Sequence, residues 1–310
     1  MIKRFLFIFT AVFFLSFSAS AQVKYALTPE NPRPGEPVTI AVNTGVKHAV
    51  LSRNERQLAK AAFFPVIDEG FNAAILTIPS TLNSGEAVIR LEDENNNVLQ
   101  EIIFNIAPRN FVSEVIELNP VLTGIRTDAS TQRTDEANHL WAVLSHTGNT
   151  VYHTGAFIAP VNSVRRTSFF GDRRVFKYSD GKSDTSIHAG VDYGVPTGTG
   201  VVACGAGKVI IARSRIVTGN SVVIEHAPGI YSLYYHLSSI TVKEGVIINA
   251  GTLIGLSGAT GLATGPHLHW EVRVNTENTD PDAFVARPII DKQAIINKLN
   301  NNKNPEEEGR

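Results

Sequence analysis

The sequence predicts a mainly β protein, and three observations carry this prediction. The chain has 310 residues, 43% of them hydrophobic and 18% charged, which is the composition of a globular protein with room for two domains. Short runs of alternating apolar and polar residues, bounded by Gly, Pro and Asn, recur along most of its length. A single stretch within residues 110–150 shows helical spacing instead. We therefore expect an N-terminal β-sandwich, a short helical linker and a C-terminal antiparallel β-sheet.

The first residues have the pattern of a Sec-type signal peptide. Lys3 and Arg4 precede an apolar run over residues 5–17, and a small-x-small cleavage pattern follows at 19–21. The run is short for a membrane span, although an uncleaved anchor is the alternative. No Cys directly follows the cleavage pattern, so we expect no lipid anchor. We predict a signal peptide at residues 1–21 and export to the periplasm, the cell envelope or the medium, with no membrane span after cleavage.

Charge and cysteine content exclude two further classes of interaction. The formal net charge is -1, so nothing favours binding to nucleic acid or to anionic lipid. Cys204 is the one cysteine, so the chain forms no internal disulfide. Its neighbours have a buried-strand pattern, which makes Cys204 a predicted core residue.

Residues 22–109 have the pattern of an immunoglobulin-like β-sandwich. We predict strands in four places: 37–43, 73–78, 85–91 and 98–106. The Asn-rich stretch 93–97 reads as the turn between the last two strands. The histidine in this region, His48, is predicted to lie on the surface.

Residues 110–150 form the predicted helical linker. Four apolar residues recur at helical spacing: Ala137, Leu140, Trp141 and Leu144. Thr134 or Asp135 is the predicted N-cap. We expect this stripe to pack on a neighbouring domain.

Residues 151–290 are rich in Gly and β-branched residues and predict a mostly antiparallel β domain with long loops. Five strands are expected: 207–212, 221–226, 232–235, 253–256 and 268–274. The Asn- and Glu-rich end, residues 291–310, is predicted to be a flexible tail.

Four histidines and one aspartate in this domain carry the chemical interest. They are His188, Asp192, His236, His267 and His269. Gly190 and its neighbours disfavour a helix, so residues 188, 190 and 192 are expected to share one face of a strand, with Gly190 leaving space between the imidazole and the carboxylate.

A strand that continues to Val274 likewise places His267, His269 and Glu271 on one face, with Glu271 available to orient a histidine. Two histidines and one carboxylate leave a zinc ion with an open position for water, and two imidazoles then remain for proton chemistry. The pattern indicates a hydrolytic metalloenzyme. The four other histidines after residue 110 are predicted to be structural or exposed: His139, His146, His153 and His226.

These motifs resemble those of the lysostaphin/LytM-type zinc endopeptidases, which cut peptide cross-bridges in peptidoglycan. The resemblance covers about residues 157–274. It rests on the HAGVD motif at 188–192, the YYHL motif at 234–237 and the HLH motif at 267–269, with FGDRR at 170–174 and SGATG at 257–261 as further matching loops.

The resemblance implies that His188, Asp192 and His269 bind one zinc ion and that His236 and His267 are the catalytic histidines. It also implies a small antiparallel sheet with a groove walled by loops, and peptidoglycan as the substrate. All five positions match the family pattern. The expected function is an exported zinc endopeptidase that hydrolyses amide bonds in stem peptides or cross-bridges.

The alternative function is a non-enzymatic regulator that binds peptidoglycan or activates an amidase through the same groove, since some relatives that have lost ligands act in this way. The sandwich or residues 111–150 could also cover the groove and keep the enzyme latent. Asn138 and His139 are the residues that could then occupy the open zinc position.

Overall fold

Short strands dominate the structure, as the sequence predicts. The computed structural model describes residues 23–43, 45–67 and 69–301. The predicted signal peptide at 1–21 and residues 302–310 of the predicted tail lie outside the described residues. No helix in the described part of the chain has the length and apolarity that a bilayer span requires.

The first eight strands form two four-stranded antiparallel sheets, ordered β1-β2-β6-β5 and β4-β3-β7-β8. The strands are β1 (Tyr25–Thr28), β2 (Pro37–Val42), β3 (His48–Arg53), β4 (Arg56–Ala62), β5 (Phe64–Val66), β6 (Phe71–Thr77), β7 (Gly85–Glu92) and β8 (Val98–Ile106). The four predicted strands correspond to β2, β6, β7 and β8. Asp93 shapes the β7–β8 turn because its Oδ1 accepts the N–H groups of Asn95 and Asn97, each at 2.8 Å.

Strand β2 is buried on both faces and joins the two sheets to the rest of the chain. Successive side chains of a strand point to opposite faces. Val38 and Ile40 pack between the two sheets, whereas Ala41 belongs to a second core that continues into the C-terminal half. Thr39, on the same face as Ala41, donates its hydroxyl hydrogen to the carbonyl of Ile289 at 3.0 Å. The sheet β1-β2-β6-β5 is therefore a middle layer. The immunoglobulin-like assignment stays a prediction.

The segment after the two sheets contains a strand and two helices. They are β9 (Ser113–Glu117), α1 (Pro120–Thr127) and α2 (Thr131–Ser145). The predicted N-cap at Thr134 or Asp135 is wrong, because the Ser130 hydroxyl accepts the N–H of Arg133 and starts α2 one turn earlier.

Helix α2 packs on the C-terminal sheet, although with a narrower stripe than predicted. Leu144 is buried, and Leu140 and Val143 are half-buried against the same cluster. Ala137 is exposed and Trp141 is 62% exposed, so these two residues do not take part. Helical spacing predicts the helix, but it does not predict which side of the helix faces the sheet.

Thirteen further strands form the C-terminal half. They are β10 (Arg166–Ser168), β11 (Arg173–Lys177), β12 (Ser183–Ile187), β13 (Gly190–Tyr193), β14 (Gly200–Val202), β15 (Gly207–Arg215), β16 (Gly219–Ala227), β17 (Ile230–Leu237), β18 (Ser239–Ile240), β19 (Ile247–Ile248), β20 (Leu253–Leu256), β21 (Leu268–Val274) and β22 (Glu277–Thr279). The largest sheet has the order β10-β13-β21-β17-β16-β15-β19, with β22 on β21. The five predicted strands correspond to β15, β16, β17, β20 and β21.

A smaller sheet has the order β12-β11-β9. Strand β9 runs parallel to β11, in contrast to the antiparallel pairing elsewhere among the described strands. The predicted linker therefore contributes a strand to the C-terminal half.

Two helices complete the described chain: α3 (Pro281–Ala286) and α4 (Lys292–Asn301). The prediction of a flexible tail from residue 291 is wrong over the length of α4. Ile295 is fully buried in the shared core, and the Lys298 ammonium donates to the carbonyl of Leu27 at 2.9 Å. Because the tail is polar overall, its composition does not indicate this apolar face.

Candidate metal centre

The pairing of β13 with β21 brings two of the predicted zinc ligands together. Asp192 lies directly opposite His269 in this antiparallel ladder. Along β21, His269 and Glu271 share one face, whereas Trp270 points into the core and is fully buried. His188 lies between β12 and β13 and approaches the same point. One oxygen or nitrogen of each of His188, Asp192 and His269 lies within 4.8 Å of the other two.

Gly190 has a different role from the predicted one. A Cβ atom at this position would lie 2.2 Å from the backbone oxygen of Trp270. The glycine therefore allows β13 to lie close against the backbone of β21. It does not separate His188 from Asp192.

Hydrogen bonds on the outer side of each imidazole fix which nitrogen faces the centre. Nδ1 of His188 donates to the carbonyl of Phe169 at 2.7 Å, and Nε2 of His269 donates to the Glu271 carboxylate at 2.9 Å. The inner nitrogens of the neutral rings then carry lone pairs. These nitrogens lie 3.0 Å apart, and 3.2 and 2.7 Å from Oδ1 of Asp192. With both rings neutral, three electron-pair donors converge on one point, which fits a divalent cation such as zinc.

The charges around the cluster also favour a cation. Burial opposes ionisation of Asp192, but His269 and His188 outweigh it and hold the pKa of Asp192 well below its usual range. Burial likewise opposes protonation of His269, but Asp192 and Glu271 outweigh it and raise the pKa of His269 to about 9. A metal ion bound here would compete with the His269 proton and would neutralise the carboxylates in its place.

His236 and His267 present their imidazoles beside this cluster. Their ring centroids lie 4.8 Å apart, and Nε2 of His267 lies 3.8 Å from Oδ1 of Asp192. Nδ1 of each ring donates to a carbonyl at 2.8 Å, from Thr260 for His236 and from Gly265 for His267. Each Nε2 therefore offers a lone pair. Burial lowers the pKa of His236 to about 3 and also lowers that of His267, so both rings are neutral at neutral pH.

A bulge in β17 gives His236 its position. Between Tyr234 and Leu237 the chain advances three residues, while the facing stretch of β16 from Val222 to Asn220 advances two. His236 has a φ of 61° at this point, and its N–H leaves the ladder to bond the carbonyl of a loop residue. The extra residue explains why simple strand alternation does not predict where His236 points.

The remaining histidines lie away from the five. His139 and His146 are exposed, His153 is half-buried and His226 is fully buried among core residues, in agreement with the prediction. His48 is half-buried on β3 and is thus less exposed than predicted.

The candidate metal ligands His188, Asp192 and His269 lie in an open cleft. Part of the lining comes from β9, β11 and α1 and part from loops after β15 and β20. The lining residues from the first group include Ile116, Leu118, Arg126 and Phe176, and those from the second include Val217, Leu262 and Thr264. Strands and a helix as well as loops therefore wall the predicted groove.

The segment 111–150 contributes to the cleft wall, but the two residues predicted to fill the zinc position do not reach it. His139 lines a separate pocket between α2 and β15, beside Arg213 and Arg215. Asn138 is exposed on α2.

Arg174 is a site residue that the sequence patterns do not single out. Its guanidinium donates to Oδ2 of Asp192 at 2.7 Å, on the carboxylate oxygen that faces away from the histidines. The FGDRR motif contains Arg174, so the sequence signal was present, but two adjacent arginines gave no means of choosing between them.

Comparison with known proteins identifies the class to which this arrangement belongs. Residues 186–281 match the family model described as peptidase family M23. The C-terminal half therefore contains an M23 peptidase domain, which confirms the resemblance to lysostaphin/LytM-type peptidases.

Two curated relatives carry names that refer to peptidoglycan or to endopeptidase activity. The chain is 45% identical over 111 residues to the peptidoglycan DD-endopeptidase ShyB of Vibrio cholerae, covering 36% of this chain and 26% of ShyB. It is 36% identical over 135 residues to the DD-carboxypeptidase/endopeptidase Mpg of Neisseria meningitidis, covering 43% of this chain and 30% of Mpg. The matched stretch thus spans less than a third of either relative.

The likeness extends further at the level of structure. A crystal structure assigned to peptidase M23 from Pseudomonas aeruginosa aligns with a TM-score of 0.57 and 25% identity. The alignment covers 82% of this chain and 94% of that one. The mainly β fold is therefore shared well beyond the 96 residues (186–281) of the family match.

Proposed function

We propose that this protein is an exported zinc-dependent endopeptidase that hydrolyses amide bonds in the peptides of peptidoglycan. The observation that carries the proposal is the convergence of two imidazole lone pairs and a carboxylate oxygen beside two further neutral imidazoles. His188, Asp192 and His269 would hold the ion. Zinc supplies Lewis acidity toward a substrate carbonyl and toward a water molecule. The names of the relatives support peptidoglycan as the substrate.

The two remaining histidines divide the proton chemistry. His267 has its Nε2 atom near the ligand set, so it accepts a proton from the attacking water as the new C–O bond forms. It then donates this proton to the leaving amine as the C–N bond breaks. His236, whose pKa burial lowers to about 3, accepts a hydrogen bond from the water and orients it. The carbonyl partners on Nδ1 keep both rings in the required tautomer.

The test is digestion of purified peptidoglycan followed by mass spectrometry of the released muropeptides, which detects activity and identifies the scissile bond. We expect cleavage that a chelator abolishes and added zinc restores. His269→Ala removes a ligand and is expected to lose at least a hundredfold in rate. His139→Ala, on the exposed face of α2, is the matched control and should keep full activity.

Full activity of His269→Ala would contradict the proposal. Zinc binding without cleavage, together with stimulation of a separate amidase, would support the regulator instead. The export component is tested by locating the full-length chain in cell fractions, with retention in the cytoplasm as the contrary result.

A further inference from the structure

Strand β9 brings a carboxylate to the edge of the metal centre from outside the M23 match. Glu114 stands directly opposite Arg174 in the parallel β9–β11 ladder. Alternation along β9 puts Glu114 and Ile116 on the side of the cleft, which Ile116 and the following Leu118 line, whereas Val115 and Glu117 are exposed. Glu114 lies 72 positions before residue 186, where the family match begins.

Arg174 connects Glu114 to a predicted zinc ligand. Its Nε donates to Oε1 of Glu114 at 2.5 Å, while one terminal nitrogen donates to Oδ2 of Asp192 at 2.7 Å. The planar guanidinium therefore spans two carboxylates in a fixed geometry. Asp192 keeps its other oxygen, Oδ1, for the histidines. Rotation of the Asp192 carboxylate would break one of these two sets of contacts.

Ser168 connects Glu114 to a second ligand. The Ser168 hydroxyl lies 3.0 Å from Oε1 of Glu114 and 3.3 Å from Nδ1 of His188, and it accepts a hydrogen bond from Arg174 at 2.8 Å. One carboxylate oxygen on β9 thus contacts the partners of both Asp192 and His188.

Charge gives Glu114 a second effect. Arg174 brings a full positive charge to the back of Asp192, and a cation bound by Asp192 would be repelled by it. Glu114 partly neutralises this charge, so a cation bound by Asp192 meets less repulsion from Arg174. Removing the Glu114 carboxylate would both release Arg174 and leave its charge uncompensated.

We propose that Glu114 is a positioning residue of the metal centre, acting through Arg174 and Ser168, and that the metal-binding unit therefore begins on β9 before the M23 match. The inference rests on the proposed zinc site but not on hydrolysis. Glu114 is not itself a ligand.

The test compares zinc binding by full-length Glu114→Gln with wild type, by titration of the metal-free protein against a zinc chelator at pH 7. We expect Kd to rise about tenfold, as for other residues that orient ligands. Cobalt bound in place of zinc should show a changed visible absorption spectrum, because the Asp192 carboxylate is no longer held in one orientation. Glu114→Asp keeps the charge with a shorter reach and should recover part of the affinity.

Glu117→Gln is the matched control, because Glu117 lies on the same strand and faces away from the cleft. Its ion pair with Lys177 is long, at 4.0 Å, and exposed. It should leave both Kd and the cobalt spectrum unchanged. Equal Kd and spectra for Glu114→Gln and wild type would overturn the inference. An equal loss in Glu117→Gln would also overturn it, since the effect would then belong to the strand as a whole. A wild-type protein that binds no zinc would overturn the proposed function itself, which is a distinct result.

Discussion

His226 is a buried imidazole that packs in the core, whereas the site histidines line the cleft. It is fully buried on β16, where Nδ1 donates to the carbonyl of Ala206 at 2.8 Å and Nε2 lies 2.7 Å from the Ser232 hydroxyl. Cys204, a core residue as predicted, lies 3.7 Å away. Burial lowers the pKa of His226 to about 3, so the folded protein keeps this ring neutral.

The depressed pKa predicts a pH-dependent stability. Between about pH 6.5 and 3 the unfolded chain binds a proton at His226 that the folded protein does not, so the free energy of unfolding falls as pH falls. From pH 7 to 5 this residue contributes a loss of about 2 kcal/mol. His226→Gln should lack this contribution, which urea unfolding of the zinc-loaded proteins at both pH values measures. Identical pH dependence in variant and wild type would contradict the prediction, and His139→Gln should behave like wild type.

Single residues also mark the limit of sequence analysis at the site. The five central side chains could be predicted because each lies in a motif with a definite spacing. Their tautomers could not, because the acceptors that fix them are mostly backbone carbonyls, such as those of Phe169 and Thr260, contributed by loops. The assignment of His269 rather than His267 to the metal rests on the family resemblance, since strand alternation in the sequence predicts both on one face. In the structure His267 lies just before β21.

Among the elements, β17 combines a buried strand with a backbone irregularity at a proposed catalytic residue. The left-handed φ of 61° at His236 costs a residue with a Cβ atom about 1 kcal/mol or more relative to glycine. This conformation is held by the bond from the His236 N–H to the carbonyl of Thr218 at 2.9 Å.

The bulge predicts an unusual order of stability for two variants that both lack the imidazole. His236→Gly should be more stable than His236→Ala by about 1 kcal/mol, because glycine adopts a positive φ without strain. Urea unfolding followed by tryptophan fluorescence would measure the difference. At Tyr235, in the same strand, the order should be reversed, with alanine the more stable. A His236→Ala protein as stable as His236→Gly would show that the bulge relaxes when the imidazole is removed.

Elements marked by a local pattern of apolar residues and turn residues could be predicted from the sequence. Elements that depend on a partner distant in sequence could not. The strands β20 and β21 follow from alternation and turn residues alone. Strand β9 has five residues, and its partner β11 begins 60 positions later, so nothing local indicates it. Helical spacing predicts helix α2. It does not predict where the helix begins, because the N-cap at Ser130 lies before the apolar stripe.

At the scale of the whole molecule, the sheet β1-β2-β6-β5 and the M23 domain share one core. Phe170, from the FGDRR motif, is buried against the loop that contains Gly35. A Cβ atom at Gly35 would lie 2.2 Å from the Phe170 ring, and the carbonyl of Gly35 accepts the N–H of Asp280 at 2.8 Å. The loop between β1 and β2 therefore supports the loop that leads to Arg174.

This contact predicts that a change in the N-terminal half destabilises the entire protein. Gly35→Ala adds both a strained φ of 88° and an overlap with Phe170, whereas the control Gly70→Ala adds a strained φ of 71° in open space. We expect Gly70→Ala to lower the free energy of unfolding by about 1 kcal/mol, and Gly35→Ala by about 2 kcal/mol more, in a single transition. Equal losses in chemical denaturation would contradict a shared core.

Contact between the two ends of the described chain has a consequence for folding. Lys298 on α4 bonds the carbonyl of Leu27 on β1, across 271 positions of sequence. Contacts between such distant residues have a high entropic cost of loop closure and slow the approach to the native state. The middle sheet is synthesised first, yet it cannot be covered until nearly all of the described chain has been made. A nascent chain would thus expose the apolar outer face of the middle sheet for most of its synthesis, which makes this surface a target for a chaperone.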